Sequence, residues 1–447
     1  MSQLGKRLIG AAGLVLPTLC LIGAGAAQAQ TGTPALLGHQ APLVLDSAGA
    51  SWLGTSTALV LLMTLPGLAL FYGGMVRKKN VIATITQSVG VFAVVSLVWF
   101  IAGYSLAFGK NGSAGLQPFI GSLDMLFLNG VSLKTANAPL PGIPEFLFIS
   151  FQMTFAIITP ALVTGAFAER MKYSALLLFT ALWSLLVYAP ICHWVWGGGF
   201  LGSAGVLDFA GGAVVHVNSG VAGLVCAIVL GRRKGYGIEP ILAHNPVLTM
   251  IGASLLLVGW IGFNAGSAGA ANDLMGVALL NTLLAAAAAA LTWKIVEYIE
   301  KKKVSLIGML SGVVAGLVAI TPAAGFVDPK GAVIIGLIAG PACYASSVWV
   351  KKLLRYDDSL DAFGIHGAGG LIGALLTGVF ATTAINSLSE GANVGAQALG
   401  LLWTIVYSAV GTLIILMICK FTTGLRVSEA EEAAGLDTSL HGEALEH

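Results

Sequence analysis

The sequence predicts an all-α polytopic membrane protein with eleven transmembrane helices, arranged as a five-plus-five inverted repeat and a final helix. Only 9% of the 447 residues are charged and 57% are apolar, whereas a soluble domain carries about 25% charged residues. A soluble fold of this size could not cover its surface with so few charges. The 59 glycines suit a helical bundle, because small residues let helices approach closely in lipid. No basic face remains for phosphate contact, so nucleic acid is excluded as a partner.

The N-terminus has the pattern of a cleavable signal peptide over residues 1–29. Two basic residues precede an apolar stretch, and a small-residue Ala-Gln-Ala sequence ends at Ala29, as in cleavage sites. Residues 30–50 would then form an outer N-terminal segment. The alternative is a first span that is retained.

Eleven segments between residues 51 and 420 are apolar enough to cross a bilayer, which takes about 20 residues of helix. They lie near 51–72, 80–108, 146–168, 174–195, 213–230, 247–264, 274–299, 305–320, 332–354, 363–380 and 396–419. The eighth and tenth segments are short and rich in glycine. The ten-residue alternation typical of a membrane β-barrel is absent from the sequence.

The basic residues orient these segments. Of the 22 Lys and Arg residues, two lie in the predicted signal peptide, 17 end or follow odd-numbered segments, and only Lys110, Lys134 and Lys330 lie on the other side of the predicted membrane. By the positive-inside rule the crowded side is the cytoplasm. The predicted topology is therefore N-out and C-in, with residues 421–447 as a cytoplasmic tail, and an odd number of spans agrees with removal of the signal peptide.

Two histidines lie inside predicted spans, where ionisable groups are costly. His216 follows Asp208-Phe-Ala-Gly-Gly in the fifth segment, and His366 follows Asp361-Ala-Phe-Gly in the tenth. Five helices is an odd number, so a second copy must enter the membrane upside down, as in many transporters. Two imidazoles at matching places could face each other across a pore and carry a proton. The alternative is two unrelated histidines with structural roles.

Other side chains near the predicted outer surface have two interpretations each. Asp208 could cap the N-terminus of the fifth helix or add negative potential to a cation site. Trp196 is suited to anchor the protein at the membrane interface or to offer its ring face to a cation. Phe151 and Phe155 share one helix face, and Phe263 ends the sixth segment. Core packing is the alternative to a role for these three rings as a gate.

The sequence also lacks several catalytic and ligand-binding motifs. There is no phosphate-binding glycine loop, no nucleophile with a catalytic base, and no metal-ligand spacing among the cysteines. We therefore expect neither an enzyme nor an ATP-driven pump, and we expect no metal and no cofactor.

Six blocks of the sequence resemble the ammonium transporter (Amt/Mep/Rh) family, most closely its bacterial Amt branch. The blocks are Pro66–Gly74, Gly165–Arg170, Asp208–His216, Gly259–Ser267, Asp361–Gly367 and the tail from Gly424 to Glu443. They are spread over the chain from about residue 50 to residue 443. The resemblance implies a homotrimer in the bacterial inner membrane, with an eleven-helix pore in each subunit.

The resemblance also implies roles for individual residues. The outer ammonium site, which methylammonium would also occupy, would comprise Trp196, Ser267, Phe155 and Asp208. The gate below this site would comprise Phe151, Phe155 and Phe263. The pore and its proton relay would comprise His216, His366 and Trp260.

The implied function is ammonium uptake. Ammonium would bind at the outer aromatic site, lose a proton and cross the pore as ammonia, because desolvating an unpaired charge is very costly. This branch of the family favours electrogenic transport, with a PII-type regulatory protein that blocks the cytoplasmic side. The alternatives are a neutral channel for ammonia or carbon dioxide and an ammonium-sensing transceptor. The tail would dock under the pore, and a disordered end is the alternative.

Overall fold

The structure is a computed structural model that describes residues 40–445. The predicted signal peptide, residues 1–29, lies outside the described residues. Two short strands, β1 (Gln40–Pro42) and β2 (Thr135–Asn137), pair antiparallel, with Ala41 opposite Ala136. All other elements of regular secondary structure in residues 40–445 are helices.

Long helices form the body of the described chain. They are α1 (Ser47–Met75), α2 (Lys78–Phe108), α3 (Glu145–Phe167), α4 (Tyr173–Ser203), α5 (Gly212–Leu230), α6 (Pro246–Gly266), α7 (Asp273–Lys301), α8 (Leu306–Ile320), α9 (Pro329–Leu354), α10 (Phe363–Phe380) and α11 (Val394–Thr422). Within residues 40–445, ten of them are long and apolar enough to span a membrane, and α8 is shorter, at 15 residues. The helix bounds lie within four residues of the predicted segments, except that α4 runs eight residues past its predicted end at residue 195.

Polar side chains mark where many of these helices begin. A helix leaves its first N–H groups without intrahelical partners, and an Asp, Asn or Ser at the N-cap accepts from them. The N-cap side chains that do so are Asp46 of α1, Asn245 of α6, Asn272 of α7, Ser305 of α8, Asp328 of α9 and Asn393 of α11. Local sequence therefore sets these helix starts.

Glycine lets several helices pack backbone against backbone. An added Cβ on Gly220 of α5 would overlap the backbone N of Gly367 on α10, and one on Gly336 of α9 would overlap the backbone O of Ala285 on α7. Such close approach is how small residues strengthen helix packing inside membranes. The contact of Gly220 with Gly367 brings together the two helices that carry His216 and His366.

The loops that follow α1, α3, α5 and α9 meet at one end of the bundle, which we call the basic end. There the Glu169 carboxylate contacts Arg77 at 2.8 Å and Arg233 at 3.1 Å, and Arg233 also contacts Asp357 at 2.8 Å. We call these four side chains the basic-end network. Burial raises the pKa of Glu169, but hydrogen bonds and charges from Arg77 and Arg233 outweigh it, so the pKa lies below its ordinary value.

The tail folds against the basic end through two short helices, α12 (Glu429–Ala434) and α13 (Leu436–His441). The Glu432 carboxylate contacts Arg426 at 2.6 Å and accepts from the backbone N–H of Lys234 at 2.6 Å. Asp437 Oδ1 accepts from the backbone N–H of Ala83, at 2.8 Å. These contacts tie the tail to the loop after α5 and to the start of α2, which favours the docked tail over a disordered one.

Candidate functional site

Five rings, one each from α3, α4, α5, α6 and α10, form a continuous column through the bundle, which we call the ring column. Trp196 packs edge-on against Phe155, with ring centroids 5.9 Å apart, and Phe155 stacks on Phe263 at 4.2 Å. The imidazole of His216 lies 5.9 Å from the Phe263 ring and 5.3 Å from that of His366, nearly parallel to the latter at 17°. Four of these rings are buried and Trp196 is partly exposed, so the column leads inward from Trp196.

Ser267 and Phe151, two of the predicted site residues, each contact a phenylalanine of the column. The Ser267 hydroxyl donates to the backbone O of Phe263 at 2.8 Å, which commits its proton and leaves the oxygen free to accept from a ligand. Phe151 lies beside Phe155, with ring centroids 5.0 Å apart. The Trp196 indole N–H donates to the backbone O of Asp208 at 2.8 Å, which fixes the ring.

Asp208 forms an N-terminal cap on α5 with both of its carboxylate oxygens. Oδ1 accepts from the backbone N–H groups of Gly211 and Gly212, at 2.9 and 2.5 Å. Oδ2 accepts from those of Ala213 and Val214, at 2.8 and 3.0 Å. The residue thus holds the helix of His216 through its side chain and the Trp196 ring through its carbonyl, so its support of the site needs no direct contact with a ligand.

The start of α5 has a backbone that only glycine suits. Gly211 has φ +112°, in the left-handed region, and an added Cβ would lie 2.6 Å from Cγ2 of Val215. The following turn, Gly212–Val217, is π-helical and contains His216.

The start of α10 repeats this arrangement. Asp358 accepts from the backbone N–H groups of Ala362 and Phe363, at 3.0 and 2.8 Å, ahead of a π-helical turn that contains His366. Asp208 and Asp358 each stand eight residues before their histidine. Asp361, the aspartate of the sequence block before His366, does not take this part, because its carboxylate contacts Lys351.

The two histidines are buried without protein partners for most of their ring nitrogens. Within residues 40–445, both ring nitrogens of His216 and Nδ1 of His366 make no hydrogen bond. Trp260 also stacks on His216, with ring centroids 5.3 Å apart and planes at 18°. Burying polar groups without hydrogen-bond partners is costly. This arrangement is therefore more typical of a site that binds a polar ligand than of core packing.

Sequence reasoning named every ring of the column and Asp208, but it missed two other residues that hold the rings in place. Thr321 accepts from the Trp260 indole N–H at 2.9 Å, and Asp358 caps α10. Neither follows from local pattern, although the second aspartate could have been found by searching for an acidic residue eight positions before His366. Glu169 belongs to the block Gly165–Arg170, which resembles the family, but the sequence assigned no role to it.

Comparison with known proteins agrees with the helical membrane fold. A model described as Ammonium Transporter Family matches residues 51–445. The "Ammonium transporter" of Aquifex aeolicus is 48% identical over 404 residues, which cover 89% of this chain and 93% of that one, and the "Ammonium transporter" of Bacillus subtilis is 48% identical over 393 residues, with 86% and 95% coverage. The crystal structure of Saccharomyces cerevisiae Mep2 has 37% identity and a TM-score of 0.79, and the match covers 86% of this chain and 91% of that chain. This multi-pass membrane protein therefore belongs to the ammonium transporter family.

Proposed function

We propose that this protein is an electrogenic ammonium transporter of the bacterial inner membrane, which takes up NH4+ and passes NH3 and a proton through the ring column. The relatives named above support ammonium as the substrate. One observation carries the mechanism: two nearly parallel imidazoles with unpaired nitrogens are buried behind stacked phenylalanine rings.

The outer end of the column suits a small cation with N–H donors. A desolvated cation over a Trp face gains about 2 kcal/mol, and the Trp196 ring is held by Asp208 and partly exposed. The Ser267 oxygen can accept one N–H of the same cation. Methylammonium keeps three N–H donors, so it should bind here as an analogue.

The buried part of the column favours ammonia over any ion. Phe155 and Phe263 stack at 4.2 Å, and Phe151 lies beside Phe155. A cation that passed these rings would lose its hydration shell and gain no counter-charge. Ammonium can give up a proton, whereas sodium and potassium cannot, and this difference rejects the metal ions. His216 and His366 can then hold ammonia by hydrogen bonds and relay the proton.

We further propose that all eleven long helices span the membrane, in an N-out and C-in orientation, and form two inverted five-helix repeats. The matching cap, π-helical turn and histidine at the starts of α5 and α10 support the repeat. The positive-inside rule places the basic end in the cytoplasm. In this proposal residues 1–29 are removed, 30–50 are periplasmic, 51–420 form the transporter domain and 421–447 form the cytoplasmic tail.

The tail suits a regulatory role in a homotrimer. Its contacts join the loop after α5 to the start of α2 through Glu432 and Asp437, so a protein that binds the basic end can act on the tail and the pore together. We propose a PII-type regulator as that partner. Binding of a purified PII-type protein to the full-length transporter, and loss of binding on removal of residues 429–447, would test this step.

Solid-supported-membrane electrophysiology on purified protein in liposomes tests the function. Ammonium jumps should give a current that matched sodium and potassium jumps do not. His216→Ala and His366→Ala should abolish it, since each removes one imidazole of the relay. His244→Ala is the matched control, because His244 lies in the loop before α6, outside the column, and it should keep the wild-type current.

The other outcomes point to the alternatives. Alkalinisation of the liposome lumen on ammonium addition without a current would replace electrogenic transport by a neutral ammonia channel. Absence of both signals, with ammonium-dependent changes in regulator binding retained, would indicate a sensor. Retention of the current in both histidine variants would overturn the proposed relay.

A further inference from the structure

We propose that Thr321, the residue that follows α8, is a positioning residue for transport, because its hydroxyl fixes the Trp260 indole against the His216 imidazole. The inference rests on the proposed function and adds to it a residue outside the ring column. Trp260 Nε1 donates to Thr321 Oγ1 at 2.9 Å, and Thr321 Oγ1 donates to the backbone O of Leu317 at 2.8 Å. The single hydroxyl proton is thus committed to the carbonyl, and the oxygen lone pairs are left for the indole.

Burial makes this hydrogen bond decisive for the orientation of the indole. Trp260 is 1% exposed and Thr321 is 0% exposed, so neither group can exchange its partner for bulk water. A buried donor left unpaired is costly, and this cost opposes rotation of the ring. In the orientation that the bond selects, the indole plane lies 18° from the His216 imidazole plane.

The next residue, Pro322, supports the turn that carries the same histidine. The backbone O of Pro322 accepts from the N–H of Phe209 at 3.1 Å, and an added Cβ on Gly212 would lie 2.5 Å from Cβ of Pro322. Gly212 begins the π-helical turn that contains His216. Residues 321 and 322 therefore hold both the ring that stacks on His216 and the turn that carries it.

Two substitutions at Thr321 separate its hydrogen bond from its packing. Thr321→Val keeps the shape but removes the hydroxyl, and we expect it to lower the maximal ammonium current about fivefold, the factor that one hydrogen bond represents. The half-saturating ammonium concentration should stay the same, because the outer site at Trp196 is untouched. Thr321→Ser should restore most of the current. The matched control is Thr377→Val, since the buried Thr377 hydroxyl donates only to the backbone O of Gly373, and it should behave as wild type.

A double-mutant cycle with Trp260→Phe separates loss of the hydrogen bond from general damage to packing, because only the former makes the effects of the two substitutions on the current non-additive. Phenylalanine keeps a ring over His216 but has no N–H, so Thr321→Val should lower the current little further in that background. An equal fall in both backgrounds, a full current in Thr321→Val, or failure of Thr321→Ser to restore it would overturn the inference. Should Thr321→Val not fold, Trp260→Phe alone must show the fivefold loss. A wild-type protein without ammonium current would reject the proposed function itself, whereas a normal wild-type current unaffected by Thr321→Val would reject only this role.

Discussion

Removal of the Asp208 carboxylate should destabilise the protein far more than removal of an ordinary helix cap. The carboxylate accepts from four backbone N–H groups at 2.5 to 3.0 Å and is 6% exposed. If each stranded donor costs about 1 kcal/mol, Asp208→Ala loses about 4 kcal/mol. Asp208→Asn keeps one accepting oxygen for two of the donors and turns an NH2 group toward the other two, so it should lose about 2 kcal/mol or more.

Asp328→Ala is the matched control for this cap. Asp328 begins α9 and its side chain accepts only from the N–H of Gly331, at 2.8 Å, so its loss should cost about 1 kcal/mol. Thermal unfolding of the purified proteins in one detergent should rank wild type first, then Asp328→Ala, then Asp208→Asn, with Asp208→Ala lowest. If Asp208→Ala melts as high as Asp328→Ala, the four-donor cap does not stabilise α5 as reasoned here.

Two further predictions concern the gate and the basic end. Phe155→Ala removes one ring of the stack at 4.2 Å with Phe263, so this variant should conduct a potassium current. Phe148→Ala, on the same helix but outside the column, should not. If liposomes that contain Phe155→Ala show no potassium current, the two rings do not form the gate. The folded-state pKa of Glu169 lies below its ordinary value because the hydrogen bonds from Arg77 and the charges of Arg233 and Arg77 outweigh burial. The stabilising effect of Glu169 is therefore present above about pH 4.3 and is lost as the pH falls through the folded-state pKa. Melting temperatures from pH 7 to pH 3 should therefore fall less steeply for Glu169→Gln than for wild type, and parallel curves would contradict this.

Local composition was enough to locate the helices, because a span of the membrane needs a continuous apolar length. The segment predicted at 305–320 is the helix Leu306–Ile320, and that predicted at 396–419 is Val394–Thr422. Of the ring column, Phe263, His216 and His366 belong to the sequence blocks that carry the family resemblance. Trp196 and Phe155 lie outside those blocks, and only the resemblance itself assigned them to the site.

Contacts between distant parts of the chain could not be predicted in this way. Arg233 counted only as one of the basic residues that orient the chain, yet it is buried and paired with Asp357, 124 positions away. Arg170 was counted similarly and is also buried, donating to the backbone O of Asp357 at 2.5 Å. No periodicity links such partners, because their meeting depends on how whole helices pack.

The contact between Gly220 and Gly367 determines which parts of the pore can move quickly. Because main-chain atoms of α5 and α10 touch there, the rigid backbones set the spacing of the two helices that carry His216 and His366. Side-chain rotations take picoseconds to nanoseconds, whereas displacement of entire helices takes microseconds to milliseconds. The pore should therefore keep a constant width between the helices that carry the histidines. Fast fluctuations that open the pore should be confined to the rings of Phe155 and Phe263.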